Sequence, residues 1–105
     1  MKLTTQDRFD DAEIAETLGI VRGNVVRTRS VGFDILAALR NLVGGEVTEY
    51  TKLMAEAREQ AMDRMTEQAR ETGADGVVTV RFSTSMIMQG AAEILVTGTA
   101  VKFKS

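Results

Sequence analysis

Apolar residues recur in a strand-like pattern from Ile14 to Arg29. Ile20, Val21, Val25 and Val26 are interrupted there by Gly19 and Gly23, each of which suits a bulge or a bend. In the stretch after Gly23, Val25, Arg27 and Arg29 share one face, and Asn24, Val26 and Thr28 share the other. Residues 1–5 predict a short edge strand ahead of an acidic turn from Asp7 to Asp11.

The period then changes. Ser30, followed by Gly32 and by Asp34 in the first turn, marks a helix start, because a hydroxyl accepts from free amides and a carboxylate complements the positive end of the dipole. Phe33, Ile35, Leu36, Ala37, Leu39, Leu42 and Val43 carry this helix to about Val43, where Gly44-Gly45 ends it. A second, longer helix is predicted from Glu46 to Thr72, closed by Gly73. At 100° per residue, Met54, Leu53, Ala57, Tyr50, Ala61, Val47, Met65, Ala69 and Met62 fall in one arc of about 180°. Lys52, Glu56, Glu59, Asp63, Glu67 and Arg70 fill the opposite face. A stripe of about 100° suffices to cover one sheet, so the wider arc predicts a second packing surface, namely another subunit.

Beyond Ala74-Asp75, the run Gly76 to Phe82 places Val78, Val80 and Phe82 on one face, and residues 91–103 alternate again. Ser83 to Gly90 suits a hairpin turning near Gln89-Gly90. The order is β-rich, α, α, β-hairpin. It predicts a single α+β domain over residues 1–105, with a largely antiparallel sheet covered by one short and one long helix.

Composition narrows the chemistry. With 105 residues, 44% of them apolar, 27% charged and a net charge of −2, the chain fits one soluble core. It has no Cys, His, Pro or Trp, which removes thiol nucleophiles, imidazole bases and the usual zinc ligands. The acidic first eighteen residues lack a secretory pattern and no run approaches a membrane span, so the expected location is cytoplasmic. Blocks of charge alternate in sign along the chain, and none is basic enough for nucleic acid.

Taken together, Arg40-Asn41-Leu42-Val43-Gly44-Gly45, then Tyr50, Leu53, Ala57-Arg58 and Ala61, then Gly73-Ala74-Asp75-Gly76-Val77-Val78 and Gly98-Thr99-Ala100-Val101 resemble the YbjQ-like bacterial family. Thr4-Thr5 and Gly19-Ile20-Val21-Arg22-Gly23 fit as well, so the resemblance spans nearly the whole chain. Gly76 departs from it, standing where an alanine is typical. The resemblance implies a small α+β subunit assembling as a homopentamer, under the family label "putative heavy-metal-binding", which rests on structural analogy.

The metal label meets a poor donor set. Met86 and Met88, two apart, could offer two sulfurs from one strand face to Cu(I), although flexible methionines also fill irregular gaps. Asp7, Asp10, Asp11 and Glu13 are oxygen-rich but match no EF-hand spacing and read as a solvated turn. Gly44-Gly45 with Arg40 lacks the residues of a phosphate loop. Arg58 falls inside the apolar arc and should snorkel or pair with a carboxylate such as Asp75, Glu93 or one from a neighbour. Arg27 and Arg29 read as solvated. Carboxylates, Lys2, Lys52, Lys102, Lys104 and Tyr50 are the surviving acid–base groups, and none has an evident catalytic partner in sequence.

The expectation is therefore a non-enzymatic, self-assembling domain without catalytic residues, metal ligands or cofactor, and without a nucleic-acid or membrane partner. Any small ligand stays unidentified. The alternative is a metal- or small-ligand-binding module with its site between subunits.

Overall fold

The computed structural model describes residues 1–28, 48–88 and 91–105. Four strands and one helix occur among them: β1 (Lys2–Leu3), β2 (Ile14–Thr28), α1 (Thr48–Glu71), β3 (Gly76–Met88) and β4 (Ala91–Phe103). The sheet order is β1-β3-β4-β2. β4 pairs antiparallel with both β2 and β3, whereas β1 runs parallel to β3, with Lys2 opposite Gly76 and Leu3 opposite Val77.

The fold is α+β, and the expected arrangement needs correction. Instead of a largely antiparallel sheet under two helices, the described residues form a mixed four-stranded sheet with one helix. Strand direction was not readable at β1, because two residues carry no alternation that reveals what they pair with. The shorter helix, expected from Ser30 to about Val43, lies outside the described residues, as do Arg29, Arg40 and Gly44-Gly45.

Helix α1 ends as its sequence requires. Gly73 takes a φ of 81°, its amide donates to the Arg70 carbonyl at 3.0 Å and the Ala74 amide donates to that of Ala69 at 3.2 Å. This pair of bonds satisfies two of the last free carbonyls, and glycine reaches the left-handed region without a Cβ clash.

The helix lies on the sheet through a line of three alanines and one methionine. Ala57, Ala61, Met65 and Ala69 are fully buried against Val21, Val25, Ile94, Val96 and Ala100. Gly23 proves to be a site of close approach rather than a bend: a Cβ there would stand 2.0 Å from the Ala61 carbonyl oxygen and 2.5 Å from the Met65 nitrogen. Gly19, with a φ of 128°, does sit at a register shift, between the Thr17 and Gly19 pairings.

A second irregularity was not expected. Thr79 has a φ of 56° at the shift between the Val78 and Arg81 pairings. A β-branched residue is a genuine outlier in this region. The shift breaks the alternation predicted for β3, so Val77 and Val80 join the core while Val78, opposite Thr99, is buried outside it. Residues 4–6 hold the shift in place: the Thr79 amide donates to the Gln6 carbonyl at 2.7 Å and the Val80 amide to that of Thr4 at 3.0 Å.

Candidate intersubunit surface

Helix α1 packs over β2 and β4 and barely reaches β3. Side chains from the helix also close the free edge of β2. Gln68 accepts the Arg22 amide on Oε1 at 2.7 Å, and Arg64 donates to the Asn24 carbonyl at 2.6 Å. Among the described residues, no helix covers the β3 end of that same face.

Register identifies what is bare there. Phe82 pairs with Val96 and Met86 with Ala92, so both project from the face that α1 covers elsewhere. Phe82 is 44% exposed and Met86 is 79% exposed. Ile87, next along, is 52% exposed. Beyond Val80, no described strand lies along the outer edge of β3, since β1 pairs only with Gly76 and Val77. From Phe82 to Met88 the sequence is Phe-Ser-Thr-Ser-Met-Ile-Met, without a charge, a proline or a glycine. Charged residues and prolines blunt many natural sheet edges, and between Phe82 and the register shift after Met86 this edge carries neither, which suits it to pairing with another chain.

Arg27 lies on the helix side of the same end, in the row Arg27, Ala92, Met86 across β2, β4 and β3. It is half-buried, contrary to its expected solvation. Its Nη2 donates to Gln60 Oε1 at 2.6 Å, and its buried Nε has no hydrogen-bond partner among the described residues. The opposite face is more polar, with Asn24 Nδ2 donating to Glu93 Oε2 at 3.2 Å beside exposed Val26 and Ile20.

The sequence had assigned the surplus apolar surface to the long helix. Within its expected arc, Ala57, Ala61, Met65 and Ala69 are fully buried by this chain's own sheet, and Met54 and Met62 pack partly against the core. Val47 and the side chains of Tyr50 and Leu53 lie outside the described residues. Arg58, expected to snorkel or pair, is exposed, with no ion pair among the described residues. Its suggested partners are engaged elsewhere: Asp75 accepts the Phe103 amide at 2.9 Å, and Glu93 holds Asn24.

Other sequence candidates disperse. Asp11 pairs with Lys2, and Glu13 pairs with Lys104 at 3.2 Å. The hydrogen bond from Lys2, together with its charge, holds the Asp11 carboxyl below its ordinary value. Lys102 donates to the Gly73 carbonyl at 2.9 Å, and Lys52 is exposed on α1. A register shift falls between Met86, opposite Ala92, and Met88, opposite Ala91, and the Met88 side chain lies outside the described part of the structure. Among the described residues, no group of three or more Asp or Glu is placed to hold a metal ion. The heavy-metal label therefore finds no fitting donor set in the described part of one chain.

A family model described as "Putative heavy-metal-binding", YbjQ, matches residues 1–104. The chain belongs to the YbjQ family. A UPF0145 protein of Methanococcus maripaludis is 55% identical over 105 residues, covering 100% of this chain and 94% of its own length. One from Vibrio parahaemolyticus is 51% identical and covers 97% of each chain. The family is thus shared by archaea and bacteria, which corrects the purely bacterial expectation. These names assign no reaction. A crystal structure of a DUF74-family protein of unknown function from Pediococcus pentosaceus superposes with a TM-score of 0.69 at 14% identity, covering 99% of this chain and 98% of that one. At that identity the likeness speaks for the fold alone. No helix among the described residues is long and apolar enough to cross a membrane.

Proposed function

We propose that this chain is a non-enzymatic, cytoplasmic subunit whose activity is self-assembly into a ring, five copies in number, with the hairpin end of the sheet as the contact. The observation that carries this reading is the exposure of Phe82, Met86 and Ile87 on a strand edge that carries no charge or proline from Phe82 to Met88. The shape of the described residues supports it. Their Cα radius of gyration is 17.2 Å, against about 13 Å for a compact domain of 100 residues. An elongated subunit with an uncovered apolar end gains from burying that end against a neighbour, at roughly 25 cal/mol for each Å² of apolar surface removed from water. The count of five follows the family resemblance.

Native mass spectrometry tests it. The expected result is a principal species near five times the 11.4 kDa chain mass, and a monomer throughout the micromolar range overturns it. Cell fractionation, with the chain recovered in the soluble cytoplasmic fraction, tests the location.

A metal site, if the family label is taken at its word, has to draw donors from beyond the described residues or from two copies. Elemental analysis of the assembled protein after dialysis against zinc, cadmium and copper tests that reading. One metal retained per subunit or per interface would favour it.

A further inference from the structure

We propose that Arg27 is the docking point for a carboxylate of a second copy of this chain, an inference that rests on the self-assembly reading and names the contact. The residue is half-buried, its Nη2 donates to the neutral amide of Gln60, and its buried Nε meets no acceptor among the described residues. A cation partly withdrawn from water that finds neither a counter-charge nor a full set of acceptors among the described residues is destabilising, and a carboxylate relieves both deficits, because its two oxygens match the fork of the guanidinium.

Charge identifies the occupant. The surface around Arg27 on the helix side continues through Ala92 to exposed Met86, a strip with no acidic group in its row. The outer face of α1 offers the complement. Glu56, Glu59 and Asp63 follow at helical spacing, are exposed and form no ion pair among the described residues. A hairpin end from one copy meeting the acidic helix face of the next joins two different surfaces. Such a head-to-tail contact closes into a ring when the rotation permits.

The test compares full-length wild type with Arg27→Met, Arg27→Lys and the combined Glu56→Gln, Glu59→Gln, Asp63→Asn variant. Sedimentation gives the assembly constant, and unfolding of dilute protein gives subunit stability. Arg27→Met is expected to leave the isolated subunit at least as stable as wild type while weakening assembly roughly thirtyfold or more, the range for removing one partner of a buried charge pair. Arg27→Lys should weaken it less. The acidic-face variant should weaken assembly similarly, and combining it with Arg27→Met should add little. Assembly of Arg27→Met at wild-type strength overturns the inference, as does a loss of subunit stability that accounts for all of its weakened assembly. A wild type that never assembles overturns the self-assembly reading itself, and that failure is visible before any variant is made.

Discussion

Gly23 on β2 lies directly beneath Ala61 on α1, so closely that a Cβ at position 23 would stand 2.0 Å from the Ala61 carbonyl oxygen. The obstructing atoms are backbone, which cannot move aside as a flexible side chain would. Gly23→Ala should therefore lift the helix and cost at least about 2 kcal/mol, at the upper end of overpacking penalties. Urea unfolding checks this, and a variant within about 0.5 kcal/mol of wild type, the range of neutral surface changes, would contradict the contact.

Met65 is the largest side chain in the helix–sheet contact with no exposure, sitting between Ala61 and Ala69 against the sheet. Truncation to alanine removes its transfer energy and leaves a cavity that small neighbours cannot collapse to fill. Met65→Ala is expected to destabilise by about 3 kcal/mol. Met62→Ala, at the half-buried flank, should cost less than half as much in the same unfolding assay.

Thr79 holds a φ of 56° at the β3 register shift. Relief of that strain by Thr79→Gly should outweigh the added freedom of the unfolded chain. The expected net gain is about 0.5–1 kcal/mol, seen as a raised unfolding midpoint. A loss of stability would mean that the threonine side chain contributes more than its backbone costs.

Much of this architecture was legible in the sequence because the signals were local. Alternation marked β2 and β4, helical spacing marked Ala57, Ala61, Met65 and Ala69 as buried, and Gly73 marked the end of α1. What failed depended on distant partners. The parallel pairing of Lys2 and Leu3 with β3 has no local signature. Thr79 resembles any strand residue, so the shift that sends Val80 inward and leaves Val78 outside the core was invisible. Arg27 read as solvated because only the tertiary fold brings Gln60 over it. The apolar surface that the sequence placed on the helix is, at Ala57, Ala61, Met65 and Ala69, buried by the chain's own sheet, and the exposed apolar side chains on which the assembly proposal rests lie instead on β3. The charge-free run from Phe82 to Met88 is the sequence feature that goes with that exposure.

Asp11 and Lys2 form an exposed pair that lowers the Asp11 pKa from 3.8. A carboxyl with a depressed folded-state pKa contributes stability above its unfolded value, and this is lost as the pH falls through the folded one. The difference in unfolding midpoint between wild type and Asp11→Asn should accordingly be small and constant near neutrality, begin to shrink near pH 3.8 and vanish once the pH is below the depressed folded-state value. Thermal melts across that range check it. A difference that grows with acidification would reverse the sign.

The most direct measurement is sedimentation equilibrium of the wild type beside a Phe82→Ser, Met86→Ser double variant. If the bare hairpin is the contact between copies, the wild type gives a mass near five times 11.4 kDa. The variant should then sediment as a monomer while keeping its subunit unfolding midpoint, because neither side chain is buried within the chain. A wild type that sediments as a monomer, or a double variant that assembles as well as wild type, contradicts the account.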